Sequence, residues 1–243
     1  MARSVINLRD SRGHALDATR KGKTRTSEIY NELRRDILEC RLKPGARLRS
    51  DDLKIQYDIG LSPLREALMK LASDGLVMLE EHKGFRVASV SKSDLLDVTF
   101  LRKELDCTAI KLSIDKGDDR WEANIVAALH ELSRRKKIGA DGLIDAEWEQ
   151  RHRAFHFSLV CACGSSWLLH YRNQLYDMAD RYRRLSVQYL RSARDDLAEH
   201  QEIAAAVLAR DVEASAFLTR RHLDRTIQIV LTGDPNLFDD SKY

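Results

Sequence analysis

The sequence predicts a mostly α-helical protein, with an N-terminal winged helix-turn-helix followed by an all-α bundle of six to seven helices. Three observations point there. Prolines occur only at Pro44, Pro63 and Pro235, so long stretches are free to run as uninterrupted helix. Between residues 26 and 91, three helix-like segments precede two short β-prone runs, the order of a winged helix-turn-helix. Beyond Val90, apolar residues recur at helical spacing almost to the C-terminus.

Each element has a local reason. Residues 1–25 hold Arg3, Arg9, Arg12, Arg20, Lys21, Lys23 and Arg25 against Asp10 and Asp17, and read as a basic, flexible arm. In TSEIYNELRRDILECRL (26–42), Ile29, Leu33, Ile37 and Leu38 share one face, with Thr26 or Ser27 as the cap. LKPGARL (42–48) reads as a turn. A short helix opens at Ser50. Another runs over LSPLREALMKLASDG (61–75), with Ser62 as cap, Pro63 at the first helical position, Leu64, Leu68 and Leu71 inward, and Gly75 as the stop. LVML and FRVASV flank EEHKG and make a hairpin over 76–90 with Gly84 at its tip. Helices follow at about 93–116, 119–137, 145–163, 166–191, 194–209 and 211–231. Ser93 and Asp118 open the first two, Gly139 and Gly142 mark a loop, Gly164 separates two helices and Asp211 caps the last. The domains expected are therefore the arm at 1–25, a DNA-binding unit at 26–91, a helical unit at 92–232 and a tail at 233–243.

Composition excludes several classes. The apolar share is 43% and the charged share 33%, ordinary for a globular protein. No run approaches the roughly 18–20 uncharged residues that a membrane span needs. MARSVINLRD has no apolar segment of a secretory signal, so a cytoplasmic location is expected. Cys40, Cys107, Cys161 and Cys163 form no CxxC and read as reduced core residues.

Two constellations carry chemistry. The first is at the DNA-binding end. The N-terminal residues of the helix at Leu61 are placed to face base edges, where Arg65 suits guanine or phosphate, while Ser62 and the first-turn amides suit a phosphate. Lys83 and Gly84 at the wing tip, with Arg47 and Arg49 before the second helix, complete the candidate contacts with double-stranded operator DNA. The second is histidine. His152 and His156 stand at i and i+4 in EQRHRAFHFSL, one above the other on a helix. His200 and His222 lie on two helices joined near residue 210 or 211, about ten and eleven residues from the turn, hence at similar height in an antiparallel pair. Four converging imidazoles suit a divalent metal.

The run ILECRLKPGARL…LSPLREALMKLASDGLV…HKGFRVASVS resembles the DNA-binding domain of GntR-type transcriptional regulators, over residues 27–91. Cys40 stands where that family usually has Gly. Leu61 stands where an Arg commonly contacts bases, so only an apolar contact, as to a thymine methyl, is open to it. Residues 93–231 resemble the FCD effector domain of FadR-type members, through LRKELD, AFHFSLVCACGSSWLL, EHQEIAAAVLARD and RRHLD. The resemblance implies a metal held at His152, His156, His200 and His222, with His152 replacing the usual Asp. That exchange makes the site one charge more positive and favours Zn, or Ni, over Mn or Mg. It also implies that Arg102 grips the carboxylate of a small organic acid effector, aromatic or dicarboxylate. Tyr176, Tyr182 and Arg183 are further pocket candidates, and DRYRR reads equally as a solvated face. Alternatively, Arg102 pairs with Asp106 on the helix surface. The expected protein is a dimeric, metabolite-responsive regulator, more often a repressor, and not an enzyme. The rival is a metal-dependent hydrolase or oxygenase using the four histidines.

Overall fold

The computed structural model describes residues 25–186, 196–233 and 238. Of the basic arm expected at 1–25, residues 1–24 lie outside the described residues and Arg25 belongs to the first helix; the end of the helix expected at 166–191, the start of that at 194–209 and most of the C-terminal tail also lie outside them.

The N-terminal unit is built from α1 (Arg25–Leu38), β1 (Arg47–Leu48), α2 (Ser50–Gln56), α3 (Leu61–Ser73), β2 (Val77–Glu80) and β3 (Gly84–Val87). The faces read from the sequence are the faces that pack. Ile29, Leu33, Ile37 and Leu38 of α1 meet Leu64, Leu68 and Leu71 of α3 in one core with Leu48, Phe85 and Val87 of the sheet. The sheet is antiparallel in the order β1-β3-β2, with Leu48 opposite Phe85, and Val77 opposite Val87.

Four local expectations are corrected here. Strand β1 lies inside the stretch read as a turn, because Gly45, at φ +73°, turns the chain so that Arg47 and Leu48 pair with β3. α1 starts at Arg25, one residue before the expected cap at Thr26 or Ser27. α3 starts at Leu61 behind an extended Gly60, so Ser62 lies inside the first turn and caps nothing. The wing turn is Glu81–His82–Lys83, with Gly84, at φ +85°, as the first residue of β3.

The C-terminal unit contains α4 (Lys92–Lys116), α5 (Asp119–Ser133), α6 (Ala146–Ser158), α7 (Ser166–Leu185), α8 (Asp196–Leu208) and α9 (Val212–Gly233). Ser91, rather than Ser93, caps α4, its hydroxyl accepting from the Asp94 amide at 3.1 Å. Asp118 and Asp211 cap α5 and α9 as expected, accepting from the Trp121 and Ala214 amides at 2.9 Å each. α5 ends at Ser133, four residues early. The cluster Arg134–Lys137 follows, and an Ile138–Ile144 bridge then closes the loop around Gly139 and Gly142. α6 ends at Ser158, where the chain tightens into turns before Gly164 at φ +73°. The bundle core joins Ala109, Ile125, Phe155, Ile203 and Val207, none more than 1% exposed. No helix among the described residues is long and apolar enough to cross a membrane.

One helix, α7, joins the two units. Met178 packs on the N-terminal core. Arg181 donates to the Ala88 carbonyl at 2.5 Å, and Arg34 of α1 is ion-paired with Asp177. The Tyr182 hydroxyl accepts from the Ser91 amide at 3.1 Å and donates to Asp94 at 2.6 Å.

Candidate metal and effector site

Three helices bring the four histidines together. His152 and His156 face inward from α6, His200 from α8 and His222 from α9, and one ring nitrogen from each lies within 4.8 Å of the others. The register read from the turn holds: with Arg210 at φ +55° closing the α8–α9 corner, the rings of His200 and His222 are centred 4.8 Å apart. All four side chains are buried, His200 to 1% exposure.

Two of the rings are oriented by a polar neighbour. His152 Nδ1 meets the Tyr176 hydroxyl at 3.0 Å, which leaves Nε2 facing His156 Nε2 at 3.1 Å. His222 Nδ1 meets Glu199 at 2.8 Å, and Arg225 holds the other oxygen of that carboxylate at 2.9 Å. Trp148 stacks flat on His152, with centroids 4.6 Å apart and planes 16° from parallel. A polar partner on the far nitrogen of a ligating imidazole fixes its tautomer and aim.

The donor set fits a divalent cation that accepts nitrogen. Two ligand atoms on a tetrahedral zinc, with Zn–N of about 2.05 Å, sit roughly 3.3 Å apart, close to the 3.1 Å between the paired Nε2 atoms. Burial lowers the pKa of His152 well below its ordinary value, helped by the nearby Arg183. Burial followed by the other imidazoles does the same for His156. Both rings are therefore neutral at pH 7, the form that ligates a metal.

A cavity opens beside the histidines, lined in part by Arg102, Tyr176, Arg183, Trp148, Leu95 and Ile227. Arg102 pairs with Asp106 one turn on, its Nε 3.3 Å away, but the pair is buried rather than on the helix surface; its guanidinium covers the Tyr176 ring at 4.5 Å and lines the cavity. Burial lowers its pKa, opposed by Asp106. Arg183 is ion-paired with Glu149 and Asp180. Tyr182 is corrected: it belongs to the junction with Ser91 and Asp94, not to the cavity. The run DRYRR is not a solvated face, since Arg181, Tyr182 and Arg183 are all buried. Sequence reasoning missed Trp148, Glu149, Lys137 and Glu199. Only Glu149, three residues before His152, and Glu199, beside His200, carried a spacing signal.

The candidate DNA contacts form an exposed surface on the N-terminal unit. Ser62 and Arg65 project from the first turns of α3, and Arg49, Lys83 and Gly84 are exposed. Arg47 donates to the Lys83 carbonyl at 3.0 Å, tying β1 to the wing tip. Among the described residues, Arg49, Arg65 and Lys83 enter no ion pair. Leu61 is 48% and Ile55 of α2 84% exposed, so two apolar side chains stand beside the cations.

The imidazoles set a pH dependence in the metal-free protein. The folded pKa of His152 and His156 lies below that of the unfolded chain, about 6.5. Above pH 6.5 neither state binds the proton and stability is at its full value. As pH falls through 6.5 toward the folded values, the unfolded chain takes up protons that the folded protein refuses. The loss is about 1.4 kcal/mol per pH unit for each histidine. Thermal melts of chelator-stripped protein are expected to fall between pH 7.5 and 5.5, and to flatten when both residues are replaced by Leu. A melting temperature that is constant or rises over that range contradicts the assignment.

Comparison with known proteins accounts for both units. Residues 25–87 match the bacterial regulatory proteins of the gntR family, and residues 97–225 match the FCD domain. The chain is 39% identical over 208 residues to the HTH-type transcriptional repressor GlaR of Escherichia coli (strain K12), covering 83% of this chain and 93% of that one. It is 36% identical over 203 residues to the HTH-type transcriptional regulator BphR of Paraburkholderia xenovorans (strain LB400), covering 83% of each. Among solved structures, E. coli McbR/YncC has the same fold with a TM-score of 0.69 at 24% identity, over 84% of this chain and 96% of that one. A GntR regulator from Rhodococcus sp. RHA1 has it with 0.70 at 23% identity, over 86% and 98%. These relatives are regulators of transcription, which removes the hydrolase or oxygenase reading of the histidines. The chain belongs to the GntR family of bacterial transcription regulators, with a winged helix-turn-helix followed by an FCD domain.

Proposed function

We propose that this regulator is a cytoplasmic, dimeric repressor of the FadR type whose helical domain holds a divalent metal, zinc or else nickel, and binds a small carboxylate effector that alters operator affinity. The single observation that carries this reading is the meeting of four buried, inward-facing imidazoles from three helices beside a cavity containing a buried arginine. The name of GlaR supports the sign, repression. A bound metal would supply a Lewis-acidic position for an acid's oxygen.

The protein's own residues do the rest. His152, His156, His200 and His222 present neutral nitrogens, and Tyr176 and Glu199 hold two of those rings in place. Arg102 offers its guanidinium to the effector's carboxylate, a charge-assisted contact in a place shielded from water. At the DNA-binding end, Arg65, Ser62 and the amides opening α3 face the major groove, and Arg47, Arg49, Lys83 and Gly84 face the backbone and minor groove. One such helix reads only a few base pairs, so a two-fold dimer on a palindromic site is the economical arrangement.

The two ends are joined through neighbouring residues of α7. Tyr176 touches His152, and Asp177 is ion-paired both with Arg153 of α6 and with Arg34 of α1. A shift of α6 or Tyr176 on effector binding therefore reaches the DNA-binding unit through a shared buried carboxylate.

Three measurements test this. Duplexes selected from a random pool should bind with a steep salt dependence, and Arg65→Ala should weaken the selected site by about 1–3 kcal/mol relative to random duplex. Equal loss on both duplexes, or none, removes Arg65 from base reading. His156→Ala should abolish bound metal by elemental analysis of folded protein, and full metal content in that variant refutes the ligand set. Asp177→Asn should keep operator binding but reduce the factor by which effector changes it. By reciprocity, the factor by which operator changes effector affinity should shrink equally. An unchanged factor excludes this route.

A further inference from the structure

The large apolar residues of α3 divide into a buried set and two exposed ones. Leu64, Leu68 and Leu71 are fully buried in the N-terminal core. Leu61 and Met69 are each 48% exposed, and among the described residues Leu61 belongs to none of the apolar cores. A single exposed leucine is ordinary on a protein surface. Leu61, however, is the first residue of α3, and in a helix-turn-helix the N-terminal residues of the second helix are those that meet base edges. Met69 lies two turns further on, toward the other end.

The surroundings leave Leu61 as the only side chain at the entrance to this helix. Gly60 precedes it, although the packing does not demand glycine there: its φ is −71°, and a Cβ would meet only the Pro63 ring, at 3.8 Å. No polar group therefore accompanies Leu61 from the N-terminal side. Arg65, exposed, follows one turn later on the same face. That separation is about 6 Å along the axis. It spans about two base steps of roughly 3.4 Å each.

Leucine has neither donor nor acceptor. The apolar group that a base edge offers in the major groove is the 5-methyl of thymine. Leu61 is therefore blind to the hydrogen-bonding pattern that separates thymine from cytosine and responds only to whether a methyl group is present. We propose that Leu61 is a specificity-determining residue that recognises a 5-methyl group, on a base pair adjoining the one Arg65 contacts. This rests on the reading of α3 as the helix in the major groove and adds what its first residue selects there. Burial of one methyl group is worth about fourfold in affinity.

The test is equilibrium binding of the full-length protein, at fixed salt, to a duplex selected from a random pool, with each thymine of a half-site replaced in turn by uracil. One thymine is expected to lose about fourfold when its methyl is removed. At that position the gain from cytosine to 5-methylcytosine should match it. In Leu61→Ser, with folding checked by circular dichroism, both methyl effects should vanish, while the preference that Arg65→Ala removes is kept. A half-site in which no thymine responds, or a response that persists in Leu61→Ser, overturns the role of Leu61. So does a response to uracil without a matching one to 5-methylcytosine. In each of those cases a loss of preference in Arg65→Ala leaves groove recognition by α3 standing. Should neither variant change the preference for selected over random duplex, both readings fall.

Discussion

The helical domain is organised around the burial of four imidazoles at one level of the bundle. Neutral imidazole is tolerable in a low-dielectric interior only if its nitrogens find partners. The sequence meets that requirement in two layers. The inner layer is the rings themselves, Nε2 against Nε2 across one turn of α6 at 3.1 Å. The outer layer is Tyr176 and Glu199, on helices other than those whose rings they hold. Because the partners come from α6, α7, α8 and α9 together, no one of these helices can slide by a turn without breaking a contact. The apolar clusters would tolerate such a slide far better, since Leu and Ile repack with little directional preference.

The polar layer also decides where signals can travel. Apolar packing transmits displacement in all directions, whereas a buried ion pair has few alternative geometries. α7 carries Tyr176 and Asp177 side by side, the first toward the histidines and the second toward Arg153 and Arg34. Two turns of one helix thus touch the level of the four histidines, the cavity, α1 and the first residues after the wing. The third apolar cluster, Val90, Leu95, Tyr182, Ile227 and Val230, lies along the same junction, so ordering of the cavity and ordering of the domain interface involve common residues.

What the sequence disclosed follows from range. Helical faces depend on spacing alone, so Leu64, Leu68 and Leu71, and Ile29, Leu33, Ile37 and Leu38, were legible at once. The convergence of the histidines needed only an i, i+4 pair and one symmetric hairpin, both local facts. Cap positions were less legible at Ser62 and Ser93, because a hydroxyl one or two residues away offers the same sequence signal. Strand β1 was invisible, because two residues carry no periodicity and their pairing with β3 spans about forty residues. Charge density left DRYRR open between a pocket wall and a solvated face. Arg183 finds Glu149 of α6 and Arg181 finds the Ala88 carbonyl, contacts fixed only by the packing of α7 against other elements.

Charge is what sets this chain's site apart from the pattern it resembles. A carboxylate in place of His152 would neutralise part of a bound dication; four imidazoles neutralise none of it. The nearest carboxylates do not compensate, because Glu199 is shared between His222 and Arg225, and Glu149 is taken by Arg183. A divalent ion here would therefore keep its full charge next to Arg102, in surroundings too dry to screen it. Such a centre is poorly satisfied by water and well satisfied by an anion. On the proposed reading, the substitution that first looks like a loss of ligand strength thus becomes the reason an anionic effector suits the cavity.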